Sequence, residues 1–396
     1  MRLAAIRPPR LRTVEEEGDR TATWLELFYD LVFVAVVAVL GTRLLSDTSV
    51  AGWASYAAYF ALVWWLWASH TFYADRFDTD DLVYRILAAT QMVTLALLAA
   101  SVATGPSGST VVFAAAYAAA RIILLILYSR VYRHVEQART LVRGYLIGHG
   151  IAASLWVVSV FAPEPGRFWL WAIALAIDVA TPYVMRKEQA SVPLDVSHLP
   201  ERFGLFTILV LGETIVAVTV GLGHVEWQVA TTIAGIAGLL LASGIWWVHF
   251  DNLDGFVVRR RGAAKAWRPT VWIYTHLPLA IGLAMVGVGV EHAIVAADHD
   301  HDYHDPDRWL LVAGVALAFA AIATIEHASV RRAGEGLSSR VAWNRLWAIP
   351  CALLVGILGA GPAITVVLLA LVCLGEVVAD VIVTSRFDTD EPGGVS

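Results

Sequence analysis

Charge is scarce in this chain. Of 396 residues only 16% are Asp, Glu, Lys or Arg, against about a quarter in an ordinary soluble domain. So little solvated surface excludes a water-soluble globule of this length. Lysine is almost missing: Lys187 and Lys265 are the only two among 28 basic residues. Cysteine is rare as well. Cys351 and Cys373 both fall in apolar runs, which excludes a disulfide framework and predicts buried packing. Alternation of apolar and polar residues is absent, and with it the signature of membrane strands. No Walker loop, G-x-S-x-G or dinucleotide fingerprint occurs, so no cofactor is expected, and no H-E-x-x-H spacing points to catalytic zinc. No cleavable secretory signal is evident either.

What the chain has instead is long hydrophobic blocks. Apolar residues make up 58% of it and the mean hydropathy is +0.65. About 20 residues are needed to cross roughly 30 Å of hydrocarbon at about 1.5 Å per residue. Twelve such blocks are expected, near 24–45, 51–72, 82–104, 109–130, 140–162, 168–186, 203–222, 228–250, 270–292, 308–330, 343–360 and 363–385. The fold class is therefore all-α, a polytopic transmembrane bundle. Only Gly361 and Pro362 separate the last two blocks, which leaves a broken helix or a re-entrant hairpin open there. The expected organisation is a polar leader (1–22), two six-span halves (23–190 and 191–386) and a short tail (387–396).

Arginine orients the bundle. With these boundaries, 24 of the 28 basic residues fall in loops on one side, only Arg43, Arg167 and Arg308 fall on the other, and Arg121 lies inside a span. The positive-inside bias places both termini in the cytoplasm, in agreement with an even span count. Topology explains the basic loops, so no nucleic-acid partner is expected; the bilayer itself is the first partner. A shift of 179 residues lays Leu66-Trp67 on Ile245-Trp246, His70 on His249, Asp75 on Asp254 and Phe77 on Phe256. This suggests a parallel 6+6 internal repeat.

The first block opens on TWLELFYDLVFVAVVAVL, residues 23–40. Glu26 and Asp30 stand one helical turn apart and share a helix face. For Glu26 the plain reading is a carboxylate complementing the helix dipole in the headgroup zone. Asp30 lies roughly 9 Å into the span and must face helices, water or a partner, because burial of its charge in lipid costs several kcal/mol.

The W-x-E-L-F-Y-D-L-V-F-V run resembles the opening motif of the bacterial low-temperature-requirement protein A family. HLPERFGLFTILVLGETIVAV from His198, the WW-x-H run ending at His249 and WIYTHLPL around His276 resemble further motifs of that family. The resemblance implies a multipass protein of the bacterial plasma membrane. It carries no established reaction.

In the second motif His198, Glu201 and Arg202 lie at the start of the seventh span, and Pro200 suits a first helical turn. Glu213 comes about 15 Å deeper, where an ionisable group is a candidate functional site; a helix-holding acid is the alternative. Arg121 and Asp178, mid-span in the fourth and sixth blocks, read as a structural ion pair. Glu376 and Asp380 are further embedded acids, so acids outnumber the embedded base. His70, His198, His249 and His276 gather toward the cytoplasmic side. They read either as part of an aromatic belt with Trp64, Trp65, Trp67, Trp246 and Trp247 or, with Asp75, as proton-relaying or metal-binding groups. The tract ADHDHDYHDPD, 297–307, is a weak cation site or a solvated linker, and whether any metal binds is left open.

These residues favour a proton- or ion-coupled secondary transporter of a small solute, with no catalytic residues assigned. The expected binding residues are Glu26, Asp30, His70, Asp75, His198, Glu201, Arg202, Glu213, His249 and His276. A membrane-embedded enzyme acting on a lipid or isoprenoid is the first alternative, and a structural or sensory membrane protein the second.

Overall fold

A computed structural model describes residues 6–11, 22–78, 80–103, 109–194, 198–250, 267–298, 303–329 and 343–389. Among them the chain forms twelve α-helices. They are α1 (Trp24–Ser46), α2 (Val50–Arg76), α3 (Leu82–Ala103), α4 (Thr110–His134), α5 (Arg139–Phe161) and α6 (Gly166–Val184). The second six are α7 (His198–Gly223), α8 (Val229–Phe250), α9 (Arg268–Ala296), α10 (Asp305–Ala328), α11 (Ala348–Leu358) and α12 (Pro362–Thr389). Every expected block is a helix. One feature was not anticipated: β1 (Arg10–Leu11) pairs antiparallel with β2 (Phe77–Asp78).

Ten of these helices are long and apolar enough to cross a membrane. The two that are not depart for different reasons. In α2 every residue from Leu62 to Phe77 is buried, so this helix touches protein rather than lipid and admits Trp, Tyr, Ser, Thr and His. In α11 length is the limit: eleven residues span about 17 Å. Gly359 ends it in the left-handed region (φ 62°), where the missing Cβ removes the steric penalty. Pro362 then restarts the chain as the first residue of α12. The junction is thus a tight break between two helices.

The lipid-facing helices invert the usual amphipathic rule. On α3 the exposed side chains Ile86, Val93 and Leu97 follow one face, while Ala88, Gln91, Leu95, Leu98 and Ser101 face inward. Lipid tails are as apolar as leucine, so inward faces are set by size and polarity rather than by hydrophobicity. Cys373 is buried as expected, but Cys351 is exposed on α11, a position that a membrane surface tolerates because a thiol is only weakly polar.

The chain divides into two compact units, residues 1–43 with 58–203 and residues 44–57 with 204–396. In the first, a cluster of Tyr73, Phe77, Tyr84, Tyr128, Tyr145 and aliphatic residues packs α2 to α5 together. In the second, α9 and α10 pack so closely that a Cβ on Gly282 would meet Ala318 N and Gly314 O at 2.9 Å.

Candidate functional site

The site in the first unit begins with a helix cap. Thr23 precedes α1 and its Oγ1 accepts from the Glu26 amide (3.3 Å), while the Thr23 amide donates back to Glu26 Oε2 (2.8 Å). This is a reciprocal capping box, and the T-x-x-E spacing that announces it stands in the sequence. Glu26 is buried, at 3% exposure, and its other oxygen, Oε1, lies 3.1 Å from Arg202 Nη1. One turn on, Asp30 Oδ1 accepts from Arg202 Nη2 (2.6 Å) and from Trp67 Nε1 (2.8 Å). The two acids at i and i+4 therefore hold a single guanidinium between them.

His198 completes the cluster. Its Nδ1 lies 2.9 Å from Asp75 Oδ1 and its Nε2 lies 3.7 Å from Glu26 Oε2. An ionised carboxylate only accepts, so Nδ1 carries the hydrogen toward Asp75. Glu201 turns the other way and accepts from the Ala22 amide (3.2 Å), pinning the residue ahead of the cap. His70 lies beside this group without an ion pair of its own among the described residues. Its ring stacks on Tyr29 (centroids 4.1 Å) and its Nε2 is 3.3 Å from the Tyr84 hydroxyl.

Glu26, Asp30, Asp75, His198 and Arg202 are therefore one enclosed cluster, with Glu201 and His70 at its edges. Its charges do not balance. Three carboxylates face one guanidinium and one imidazole, and Asp30 Oδ2 is a buried oxygen with no hydrogen-bond partner. Full neutrality takes two protons beyond the arginine. A net buried charge costs several kcal/mol, so the cluster is built to hold protons.

A second buried group in the same unit is balanced. Arg121 on α4 binds the Asp178 carboxylate on α6 and the Ser69 hydroxyl (3.0 Å) on α2, and His149 Nδ1 on α5 lies 2.8 Å from Asp178. Arg121 and Asp178 are both fully enclosed. The ion pair expected from the sequence is present, and the histidine beside it is an addition.

The aromatic-belt reading fails for Trp64, Trp65 and Trp67, which are at most 1% exposed. They pack around Phe203, and Trp67 serves Asp30. Trp246 and Trp247 are exposed, as a belt requires. The repeat-related pair Trp67 and Trp246 thus sit in different surroundings, while His70 and His249 are both buried. Asp254 and Phe256 lie outside the described residues.

In the second unit His249 and His276 approach ring to ring (6.2 Å), and His276 Nδ1 meets the Trp272 carbonyl at 2.7 Å. Glu213, mid-helix in α7, is half-buried and makes no hydrogen bond or ion pair among the described residues. Arg345 was read as a loop cation but is fully buried, against Glu326, Glu376 and Asp380. Arg121 is therefore one of three enclosed guanidinium groups, with Arg202 and Arg345. Within the His/Asp tract, residues 299–302 lie outside the described residues; Asp298 accepts from Gln228 Nε2 (3.0 Å), and Asp305 pairs with Arg308 in the first turn of α10. Among the described residues no three His, Cys, Asp or Glu gather to hold a metal ion.

Apolar helices whose charged groups are enclosed by other helices define a polytopic membrane protein. The chain belongs to the bacterial low temperature requirement A protein (LtrA) family, whose pattern matches residues 21–385. It is also similar to a curated relative, "Uncharacterized protein RA0937" of Rhizobium meliloti (strain 1021). The two are 26% identical over 298 residues, 71% of each chain. No solved structure matches.

Proposed function

We propose that this multipass membrane protein is a proton-coupled secondary transporter of a small solute, with the cluster of Glu26, Asp30, Asp75, His198 and Arg202 as its coupling site. The observation that carries the reading is the excess of carboxylates over bases around Arg202, together with the unbonded Oδ2 of Asp30. Glu26 has both oxygens occupied by donors from Arg202 and Thr23, so it remains the fixed anion. Asp30 has an oxygen to spare and is the group that takes and releases the proton. His198, bonded to Asp75, holds a second proton within the same cluster. Loss of a proton from Asp30 strengthens its hold on Arg202, and that change in the clamp between α1 and the start of α7 is the event coupled to solute movement.

The positive-inside arrangement of arginines supports a plasma-membrane orientation with the capped start of α1 facing the cytoplasm. Glu213, unpaired in mid-helix, belongs to the same reading as a group on the solute path.

The test is flux in proteoliposomes of purified protein enclosing a pH-sensitive dye, with gradients of inorganic ions, organic cations, organic anions and sugars imposed in turn. At least one gradient is expected to drive proton movement in the wild type, and Asp30→Asn is expected to leave solute movement without proton movement. Proton movement that persists unchanged in Asp30→Asn, or none with any gradient, overturns the proposal.

A further inference from the structure

A second enclosed cluster has no counterpart in any motif of the sequence. Arg345, in the turn leading into α11, is 0% exposed and lies against three carboxylates. Glu326 Oε1 comes from α10 at 3.3 Å, Glu376 Oε2 from α12 at 3.7 Å, and Asp380 from one turn further along α12 in direct hydrogen-bonded contact. The guanidinium also reaches the Val248 carbonyl at the end of α8 (3.4 Å). The other titratable neighbours are Cys373 on α12, His249 on α8 and, behind it, His276 on α9. His249 makes no ion pair among the described residues, so it does not offset the acids.

The count is three carboxylates to one guanidinium. Glu376 is 7% exposed, yet its Oε2 sits beyond hydrogen-bonding distance of Arg345 Nη1 and has no hydrogen-bond partner. The acids converge on the guanidinium rather than on a shared empty point, and no metal-holding group is found among the described residues. Protons are the remaining compensation. Asp380, in direct contact with the guanidinium, is the ionised partner.

We infer that the second unit contains its own proton-binding site, in which Glu376 carries the exchangeable proton and Asp380 holds Arg345 as a fixed ion pair. Glu376 and Asp380 stand at i and i+4, on one helix face, the spacing by which Glu26 and Asp30 embrace Arg202. The inference goes beyond the transport reading, because a buried carboxyl can bind a proton whether or not any solute crosses.

Infrared difference spectra of the full-length protein in lipid, recorded as pH is stepped, test it through the carbonyl stretch of a protonated carboxyl group. The wild type is expected to show such a band titrating, with a component that disappears in Glu376→Gln. Because Gln copies the protonated form, Glu376→Gln is expected to melt within a few degrees of the wild type, while Asp380→Asn melts much lower. Loss of no component in Glu376→Gln, or a fall in melting temperature equal to that of Asp380→Asn, overturns the inference. Proton-coupled flux is read separately through Asp30→Asn, so failure of one leaves the other decided on its own data.

Discussion

Arg202 Nη2 lies 2.6 Å from Asp30 Oδ1, deep in the first unit, with its other amino group 3.1 Å from Glu26 one turn earlier. A planar guanidinium reaches both acids at once; an ammonium is a point charge and cannot. Removing one partner of a buried ion pair costs about 3–5 kcal/mol, because the remaining charge is left uncompensated. Arg202→Ala is therefore expected to lose stability of that order in thermal melts of the purified protein, and Arg202→Lys an intermediate amount. Asp30→Asn is expected to cost less than Arg202→Ala, since Trp67 and Arg202 still have an amide oxygen to donate to. Melting of Arg202→Ala alongside the wild type would show that the clamp does not hold α1 to the start of α7.

The Arg121–Asp178 pair makes the opposite prediction for function. Its charges cancel, and it is fully enclosed on α4 and α6 with His149 beside the carboxylate. Asp178→Asn is expected to destabilise strongly. The double change Arg121→Met with Asp178→Leu is expected to recover most of the loss, because an apolar pair of similar volume carries no desolvation cost. The pH dependence of any flux should be unchanged in that double variant. A double variant no more stable than Asp178→Asn, or one with altered pH dependence, would move this pair out of the structural role.

The helices were legible because a span declares itself by length and apolarity, and every one of the twelve blocks became a helix. The Glu26–Asp30 pair and the Arg121–Asp178 pair were legible because charge inside an apolar run is conspicuous. Arg345 was not, since it stands in a polar stretch between Asn344 and Leu346 and looked like a loop cation. Its signal was indirect: two acids at i and i+4 in α12 require a guanidinium from elsewhere. Trp64, Trp65 and Trp67 misled for a related reason. A tryptophan near a span end suits a belt, but α2 is enclosed by protein, so its tryptophans fill the interior. Which helix is enclosed depends on tertiary packing, and lipid and protein interiors select similar side chains.

Outside the spans, Asp81 gives a pH prediction. It caps α3, with Oδ1 accepting from the Tyr84 amide (2.8 Å), and Oδ2 accepting from the Arg7 amide (3.1 Å) and Arg130 Nη2 (2.7 Å). Burial pushes its carboxyl up, but the Arg130 hydrogen bond, the two amide donors and the Arg130 charge outweigh burial and hold it below its usual range. A carboxyl lowered on folding contributes stability that is full above its ordinary value, about 3.9, and is lost as pH falls through the folded value. Wild-type melting temperature should therefore drop on acidification below about pH 5. Asp81→Asn keeps a capping oxygen and should show a shallower acid slope, while Asp81→Ala should lose about a further 1 kcal/mol with the cap. An acid slope in Asp81→Asn equal to that of the wild type would remove Asp81 from the account.

The second unit offers a test that involves no charge. Where α9 crosses α10, a Cβ at Gly282 would stand 2.9 Å from Ala318 N and Gly314 O, and one at Gly314 would stand 2.9 Å from Val286 N. These are backbone atoms, so the added methyl can be accommodated only by separating the helices. Between membrane helices the attraction is van der Waals contact, without a hydrophobic term to replace it. Gly282→Ala is therefore expected to cost about 1–3 kcal/mol by overpacking, and Gly282→Leu more. Gly375→Ala on α12 is the control: its Cβ would meet nothing within 4 Å, and the lower entropy of the unfolded chain should make it neutral or stabilising by up to about 1 kcal/mol. Both changes replace glycine by alanine inside a helix, so helix propensity acts alike on each and the difference in melting isolates the close approach. If Gly282→Ala melts at or above the wild type, α9 and α10 are not held together by that approach.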